Sequence, residues 1–471
     1  MSIELEGLSS VLNSDQISFT EADRHERSAD WGTSEEDAVY PDVVVWPEST
    51  ADVAAVLSWA NEKKISVTPY AAGTSLEGNA VPLEKGISLD LTRMNEIHEI
   101  RPDDLQIDVG PGIYGDEINE AVGKHGLILP SLPSSGKIST IGGMLANDAS
   151  GMKTVKYGEV ADWVLEVEAV LPSGEVITAG SKAEKTSAGY NLLDLLVGSE
   201  GTLAVITRVT LKLAGRPEQI WGGRATFADL GDAADAIFDT IRSGVDVAKI
   251  ELIDSISAEI ANASLDTGLP NSPIVFLEFH ANHDIESEVE FCQTIFEAHG
   301  VTEFEVAESG TEMENLWEAR RELADVVEPF DSNLSFLTPG DVTVPISKYP
   351  EIVRYVKDLG DEHDFMIPCF GHAGDGNLHY FVMVDTDDPE MVEQGEQISK
   401  QIIERAIEMG GTATGEHGVG VGKQEYLAVE HGEAAVDTMR SIKQVFDPNG
   451  ILNPGKILPE QKESSQPERN T

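Results

Sequence analysis

Two short motifs near the carboxyl end of the sequence hold side chains that could bind a divalent metal. Gly371-His372-Ala-Gly-Asp-Gly-Asn-Leu-His379 contains two imidazoles, and Gly415-Glu416-His417-Gly418 adds a carboxylate and a third imidazole. Two histidines and one carboxylate with open coordination positions are typical of a catalytic metal site. Alternatively, the histidines hydrogen-bond around a buried turn, since no compact HExxH motif is present. The spacing leaves both interpretations open.

Glycines inside the first motif decide whether its two histidines can face one centre. In a regular strand, an odd separation places two side chains on opposite faces. Gly374 and Gly376 let the chain turn between them. We predict a strand at residues 380–384 after this turn, with Asn377 and His379 on the same side of it as Phe381.

Three segments rich in small residues in the first half could hold a dinucleotide. In the loop at 71–78, backbone N–H groups could meet phosphate oxygens because few Cβ atoms block the approach. This loop alone is equally consistent with an ordinary surface loop. A second segment opens a helix at 141–143 and continues to 151, and a third forms a turn at 198–203. Three such segments in one domain favour a cofactor site.

The predicted elements around these segments indicate the fold class. Runs at 41–47, 65–68, 86–91, 105–109, 164–171 and 203–213 have the composition of strands, and Ser49 begins a capping box before a helix. The glycine loop therefore lies between strands, whereas a Rossmann fingerprint opens directly into a helix. Farther along, strands at 274–280 and 380–384 alternate with helices at 228–243, 285–299, 349–359 and 389–409. The pattern predicts an α+β protein.

Composition excludes several classes of function. The chain has 471 residues, enough for two or three domains, with 84 acidic residues against 32 basic ones and a net charge of −52. A polyanion would be repelled, so we expect no nucleic-acid partner. The acidic residues are spread along apolar patterns, which favours adaptation to high salt over a disordered tail. Two cysteines cannot form a disulfide framework or ligate an iron–sulfur cluster within one chain.

The same patterns bear on location. No window approaches the run of about twenty apolar residues that a membrane span needs. The first residues lack a basic region followed by an apolar core, so a secretory signal is not expected. We therefore expect a cytoplasmic protein without an integral membrane segment, and leave peripheral membrane contact open.

A series of longer motifs resembles one group of FAD-linked enzymes. In order, the motifs are PDVVVWP, AAGTSLEGN, GYNLLDLLVGSEGTLAVIT, IELID, FLEFH, GHAGDGNLH, GGTATGEHGVG and FDPNGILNPGKIL. The group belongs to the vanillyl-alcohol oxidase / p-cresol methylhydroxylase superfamily. It includes D-lactate dehydrogenases that reduce cytochrome, the glycolate oxidase large subunit and D-2-hydroxyglutarate dehydrogenases. The resemblance runs from about residue 41 to 457 and is strongest to the D-lactate branch.

The resemblance implies a domain organisation and a flavin site. It implies an N-terminal segment at 1–40, a two-subdomain FAD-binding domain at 41–216, an α+β substrate and metal domain at 217–457, and a disordered tail at 458–471. The loop at 71–78 contains no His or Cys, so we expect non-covalent FAD. The implied FAD-binding residues are Ala71, Ala72, Gly73, Thr74, Ser75, Leu76, Glu77, Gly78, Pro133, Ile141, Gly142, Gly143, Asn147, Ser150, Gly151, Glu200, Ile206 and Asn453.

It also implies roles in the second half of the chain. His372, His379 and Glu416 align with the metal ligands of the group, and zinc, manganese or iron would accept this set. Such a metal would lower the pKa of a substrate hydroxyl. The implied catalytic residues are His417 as general base, Arg320 as a clamp for the substrate carboxylate, and Asn377 as a further hydrogen-bonding partner.

One departure from the group bears on the substrate. The D-2-hydroxyglutarate enzymes carry a lysine just before the residue that corresponds to Asp341, whereas here Thr338-Pro339-Gly340 precedes it. No cation is present to hold a second carboxylate, which favours D-lactate or glycolate. Electrons would pass to an external cytochrome, quinone or electron-transfer flavoprotein. A glycolate oxidase subunit and a non-catalytic flavin-binding scaffold are the alternatives, and an oligomer is left open.

Overall fold

A computed structural model describes residues 5–265, 267–307 and 339–460, together with 317, 320–321, 323–327, 330–331 and 333–337. Most of the predicted disordered tail, 461–471, lies outside the described residues. Among the helices of the described ranges, none is long and apolar enough to cross a membrane.

The first subdomain is built on a four-stranded sheet. Its strands are β1 (Ile17–Ser18), β2 (Val43–Val45), β3 (Val67–Tyr70) and β4 (Ile87–Asp90), in the order β1-β2-β4-β3. β2 and β3 both pair with β4 in parallel. The helix Thr50–Lys63 buries its predicted apolar face, and Ser49 caps it by accepting a hydrogen bond from the Asp52 N–H. The predicted β-helix-β arrangement is therefore confirmed.

The second subdomain contains a five-stranded antiparallel sheet. In chain order its strands are β5 (Ile97–Arg101), β6 (Gln106–Val109), β8 (Val164–Val170), β9 (Val176–Gly180) and β10 (Val205–Lys212), arranged as β5-β6-β10-β8-β9. Short strands β7 (Leu127–Ile128) and β11 (Ala214–Gly215) pair with each other. The helices are Gly115–Gly123, Ile141–Asn147, Thr154–Tyr157 and Leu193–Leu196. The sequence did not predict β5, because this edge strand is mostly exposed and polar.

The remaining half is a seven-stranded antiparallel sheet in the order β15-β12-β14-β13-β18-β19-β17. Its strands are β12 (Gln219–Thr226), β13 (Val247–Ile253), β14 (Ile274–Ala281), β15 (Glu303–Ala307), β17 (Gly340–Thr343), β18 (Cys369–Gly371) and β19 (Asn377–Tyr380). The helices that the described residues form here are Leu230–Arg242, Ser255–Leu265, Ile285–Ala298, Leu323–Val327, Tyr349–His363, Pro389–Glu408, Leu427–His431 and Glu433–Phe446.

Helices cover both faces of this sheet. On β14, Val275 and Leu277 join the core under helix Leu230–Arg242, whereas Phe276 joins the core under helix Ser255–Leu265. Alternation along a strand therefore supplies two hydrophobic layers, and the predicted α+β class is confirmed.

The predicted strand at 380–384 is wrong in its bounds. β19 begins at Asn377, ends at Tyr380 and pairs with β17 and β18. After two intervening residues, 381 and 382, the chain forms β20 (Met383–Val384). This strand pairs with β16 (Ser335–Phe336) in a separate sheet. The chain changes partner at Phe381, and a local apolar pattern does not reveal such an exchange.

Packing extends the first half beyond its predicted limits of 41 and 216. Strand β1 from the N-terminal segment pairs with β2, and Ile17 lies opposite Val45. At the other end of the sequence, residues 447–457 return to the first sheet. There the Val67 N–H donates to the carbonyl of Ile451, and Leu452 bridges Val67 in parallel. Both segments are therefore structural parts of the first half.

Candidate active site

A cavity of about 920 Å³ lies between the two halves of the chain. The N-terminal half contributes a wall of small residues, and the C-terminal half contributes a wall of charged and aromatic residues. Among the residues predicted to bind FAD, those that line the cavity are Ala71, Ala72, Gly73, Thr74, Ser75, Leu76, Pro133, Gly142, Gly143, Asn147, Ser150 and Glu200.

The other predicted FAD-binding residues lie behind this wall. Ile141 and Ile206 belong to the hydrophobic core of the second subdomain. Gly151 packs against the backbone of Leu132 and Pro133, where a Cβ would come within 2.8 Å of a carbonyl. Glu77, Gly78 and Asn453 complete this group. The Asn453 amide donates to the carbonyls of Asn79 and Glu200, at 3.1 and 2.7 Å. These residues do not line the cavity, and they support those that do.

The small-residue wall fits a dinucleotide. A Cβ on Gly143 would come within 3.1 Å of the Ala71 Cβ, and a Cβ on Gly142 would lie 2.7 Å from Pro111. Gly143 therefore allows the helix Ile141–Asn147 to approach the loop, and Gly142 allows it to pack against Pro111. The buried Thr140 hydroxyl has no hydrogen-bond partner among the described residues. Backbone N–H groups and hydroxyls at this wall are suited to phosphate oxygens.

The N-terminal segment also reaches the cavity. Trp31, Gly32, Thr33 and Ser34 line it beside the glycine loop. The Trp31 N–H donates to the Gly73 carbonyl at 3.0 Å, and the Gly32 N–H donates to the Ser75 carbonyl at 3.1 Å. The sequence did not predict this contact. The only sequence feature that could have indicated this contact is a single Trp-Gly pair in a polar segment.

Three predicted metal ligands converge on the opposite wall. The Nε2 atoms of His372 and His379 each lie 3.2 Å from the same oxygen, Oε1 of Glu416. The two imidazole rings are nearly perpendicular, with centroids 5.3 Å apart. Donor atoms of all three residues lie within 4.8 Å of one another, so the set fits one divalent ion.

Two fully buried carboxylates lie behind these ligands. Glu251 Oε1 lies 2.8 Å from His372 Nδ1, and Asp341 Oδ1 lies 3.7 Å from His379 Nδ1. Burial would lower the pKa of His372, but the negative charges of Glu251 and Glu416 raise it to about 10. Carboxylates of this kind fix the orientation of metal-binding imidazoles and increase their basicity.

Asp341 also shapes the loop that presents Glu416 and His417. Its Oδ2 accepts hydrogen bonds from the backbone N–H groups of Gly415, Glu416 and His417, at 2.7, 2.8 and 3.0 Å. Burial would raise the pKa of Asp341, but the neighbouring His417 and His379 lower it well below its usual range. This role of Asp341 was not predicted from the sequence. The signal that could have found it is a lone acid inside a buried strand.

His417 lines the cavity beside the metal ligands. Its ring stacks on that of His379, with centroids 5.4 Å apart. Its Nδ1 lies 3.9 Å from Asp341 and 4.0 Å from Glu77 Oε1. Burial lowers the pKa of His417, although the charge of Asp341 opposes this. The ring is therefore available in its neutral form, as an acceptor of a proton should be.

Arg320 and Asn377 differ in their placement. Arg320 lines the cavity, lies 4.8 Å from the Phe370 ring, and forms an ion pair with Glu251 at 2.6 Å. Asn377 does not line the cavity, and its amide donates to Asp341 Oδ1 at 2.7 Å. The amide nitrogen of Asn377 therefore supports Asp341, and the predicted bond from Asn377 to substrate stays a prediction.

Two family models match the chain. Residues 41–180 match a model described as "FAD binding domain", and residues 216–457 match one described as "FAD linked oxidases, C-terminal domain". The match to the second model covers more than half of the chain.

Several relatives span most of the chain. A mitochondrial D-lactate dehydrogenase [cytochrome] of Arabidopsis thaliana is 36% identical over 89% of this chain and 74% of its own length. The glycolate oxidase subunit GlcD of Bacillus subtilis is 36% identical, with 89% of each chain covered. A D-lactate dehydrogenase of Anaerostipes hadrus is 34% identical over 90% of this chain and 92% of its own.

Solved structures agree on the fold. The 4-ethylphenol oxidase of Gulosibacter chungangensis superposes with a TM-score of 0.79 at 20% identity and covers 97% of both chains. Substrate-bound p-cresol methylhydroxylase superposes with a TM-score of 0.78 at 15% identity and covers 96% of both. The predicted two-subdomain flavin fold is therefore confirmed, and the chain belongs to the family of FAD-linked oxidases.

Proposed function

We propose that this protein oxidises a small D-2-hydroxy acid, with D-lactate as the first candidate. The observation that carries the proposal is the convergence of His372, His379 and Glu416 beside His417. They line the same cavity as the small-residue wall, which is called the FAD-binding wall from here on. Relatives named D-lactate dehydrogenase, at 34–36% identity, support the choice of substrate.

The proposed cofactors are dissociable FAD and a divalent metal, with zinc first and manganese or iron as alternatives. When bound, FAD would supply a two-electron acceptor, and the metal would supply a Lewis acid for the substrate hydroxyl. The nearby Tyr70 hydroxyl donates a hydrogen bond to the Glu26 carbonyl at 3.2 Å. This bond supports the prediction that no side chain of the loop is joined covalently to flavin.

In this proposal each residue of the charged wall has one task. His372, His379 and Glu416 hold the metal, while Glu251 and Asp341 fix the two imidazoles. His417 takes the hydroxyl proton of the substrate, and Arg320 faces its carboxylate. Asn377 supports Asp341 through its amide nitrogen, and its predicted hydrogen bond to the substrate is retained in the proposal.

The lining of the cavity supports a substrate with one carboxylate. Phe336, Phe370 and Phe381 form an aromatic cluster at the charged wall, with Leu337 and Pro339 close by. Arg321 also lines the cavity, so this apolar surface would disfavour a second carboxylate over the part of the wall that the cluster covers. Of the three residues that depart from the D-2-hydroxyglutarate enzymes, Pro339 lines the cavity, Gly340 begins β17, and residue 338 lies outside the described residues.

We further propose an external acceptor for the electrons, which could be a cytochrome, a quinone or an electron-transfer flavoprotein. The word cytochrome in the names of the plant and yeast relatives supports the first. We also propose a cytoplasmic location in a high-salt cell, and the net charge of −52 supports the high-salt habitat. The second candidate function is a glycolate oxidase subunit, favoured by the Bacillus subtilis relative.

Anaerobic bleaching of the flavin tests the proposal directly. The purified protein, loaded with FAD and zinc, is mixed with D-lactate, L-lactate, glycolate and D-2-hydroxyglutarate, and the flavin absorbance is followed. We expect bleaching by D-lactate and none by L-lactate. Bleaching by glycolate alone would favour the oxidase subunit. If no acid reduces the bound flavin, a non-catalytic scaffold replaces the proposal.

A further inference from the structure

Glu251 lies between two parts of the candidate active site that are far apart in sequence. It is on β13, and its side chain is completely buried. Its Oε1 and Oε2 lie 2.8 and 3.0 Å from His372 Nδ1, and Oε2 also lies 2.6 Å from the Arg320 guanidinium. His372 follows β18, whereas Arg320 comes from the segment before β16. A single carboxylate therefore contacts a metal ligand and the residue assigned to the substrate carboxylate.

Both partners are buried and depend on this contact. Arg320 is 5% exposed and His372 is 6% exposed. Among the described residues, Arg320 forms an ion pair with Glu251 through Nη2, and neither Nη2 nor Nε makes a hydrogen bond of regular geometry. His372 uses Nδ1 for Glu251 and leaves Nε2 for Glu416. Removing one partner of a buried charge pair leaves the other uncompensated, which is costly.

We propose that Glu251 is a positioning residue that couples the metal site to the substrate clamp. It fixes the tautomer and orientation of His372 for the metal, and it holds Arg320 in the cavity for the substrate carboxylate. Metal affinity and substrate affinity therefore depend on the same side chain. This inference rests on the proposed function for the role of Arg320. The predicted effect of Glu251 on zinc affinity can be tested without a known substrate.

The two oxygens of Glu251 define the informative substitution. Glutamine keeps the size of the side chain but removes its negative charge and replaces one acceptor oxygen by an NH2 donor, so neither the ion pair with Arg320 nor the charge-assisted contact with His372 is preserved. Aspartate keeps both oxygens and the charge on a shorter side chain. Glu251→Gln should therefore impair both partners, and Glu251→Asp should restore part of the loss.

Glu278 provides a matched control on the neighbouring strand β14. It is also a buried carboxylate, with Lys249 and His280 as partners at 2.8 Å each. It does not line the cavity and contacts none of the predicted metal ligands. Glu278→Gln removes a buried negative charge from the same sheet without touching the proposed coupling.

The experiment titrates Zn²⁺ into metal-free, FAD-loaded protein against a competing chelating dye and then measures steady-state kinetics at saturating zinc. For Glu251→Gln we expect zinc affinity to fall about 10- to 100-fold. KM for the acid that bleaches the wild-type flavin should rise about ten-fold or more. FAD content should not change. Glu251→Asp should lie between wild type and Glu251→Gln, and Glu278→Gln should match wild type in both measurements.

Unchanged zinc affinity in Glu251→Gln would overturn the proposal. A loss of zinc affinity with an unchanged KM would overturn the coupling, because Glu251 would then serve the metal alone. If Glu251→Gln does not fold, Glu251→Asp carries the same two measurements. If no acid reduces the wild-type flavin, the proposed function fails, and the zinc titration alone still decides whether Glu251 positions His372.

Discussion

The two walls of the cavity are built in different ways. The FAD-binding wall consists of loops and a short helix whose small residues allow backbone groups to come close, as Gly142 and Gly143 show. The charged wall consists of side chains, and each imidazole predicted to bind metal has a buried carboxylate behind it. One wall depends on the absence of Cβ atoms, and the other depends on pairs of opposite charges.

This difference determines how each wall should respond to substitution. Most side-chain substitutions leave backbone N–H donors in place. The FAD-binding wall should therefore lose FAD affinity only where added atoms displace the backbone. A buried network of charges is destabilised when one member is removed, because the opposite charges that remain are then buried without a partner. Substitutions in the two walls should therefore separate loss of FAD from loss of chemistry.

The largest effect is expected for His379→Ala. It removes a proposed metal ligand and should lower the rate of flavin reduction about 1,000-fold or more, since a Lewis acid contributes several kcal/mol. FAD should remain bound, because the residue is on the charged wall. Stopped-flow flavin bleaching and the absorbance of bound flavin test the two statements. His299→Ala, which alters a histidine paired with Asp239 outside the cavity, is the control.

A smaller loss, about 100-fold in the rate of flavin reduction, is expected for Asp341→Asn. The substitution keeps the size of the side chain but removes the charge that accepts three backbone N–H groups of the 415–417 loop. Glu416 and His417 would then lose their common support. Zinc titration should show weaker binding together with the slower reduction. Wild-type values for both would show that the loop holds its shape without Asp341.

The same contrast explains what the sequence could predict. The FAD-binding wall is encoded in contiguous runs such as 71–78, so both its position and its purpose were predicted. The supporting carboxylates were not, because Glu251 lies 121 positions from His372 and is brought to it only by the pairing of β13 with β18. The sequence predicted a role for Arg320 at the substrate carboxylate but did not predict its ion pair with Glu251. It likewise did not predict the hydrogen bond from Asn377 to Asp341. Local patterns identify strands, but they do not show which strands become neighbours.

On the FAD-binding wall, Gly32→Ala should weaken FAD binding about ten-fold and leave zinc affinity unchanged. A Cβ at this position would lie 2.0 Å from the Leu76 carbonyl oxygen, so the N-terminal segment would have to separate from the glycine loop. FAD affinity is measured by the recovery of flavin fluorescence on dilution. Gly123→Ala is the control, since a Cβ there meets nothing within 4 Å. Equal affinities in the two variants would contradict the prediction.

The smallest effect on the cavity is expected for Glu278→Gln, which should instead alter stability with pH. Burial would raise the pKa of Glu278, but hydrogen bonds and ion pairs with His280 and Lys249 lower it to about 2. Its contribution to the free energy of unfolding should be complete above about pH 4.5 and should disappear as the pH falls towards 2. Urea unfolding of wild type and variant across this range measures the difference. If the difference in free energy of unfolding between wild type and variant does not change with pH, the lowered pKa of Glu278 is contradicted.

The return of residues 447–457 to the first sheet has a consequence for biosynthesis. β3 leads directly into the glycine loop, and its edge is closed by Ile451 and Leu452. The ribosome must therefore add more than 380 residues after Val67 before that edge has its partner. At roughly 5–20 residues per second, the nascent chain carries an open sheet edge for on the order of 20 to 80 seconds. The β3 edge is therefore closed only after Ile451 and Leu452 have been synthesised, and the first half expressed alone should aggregate.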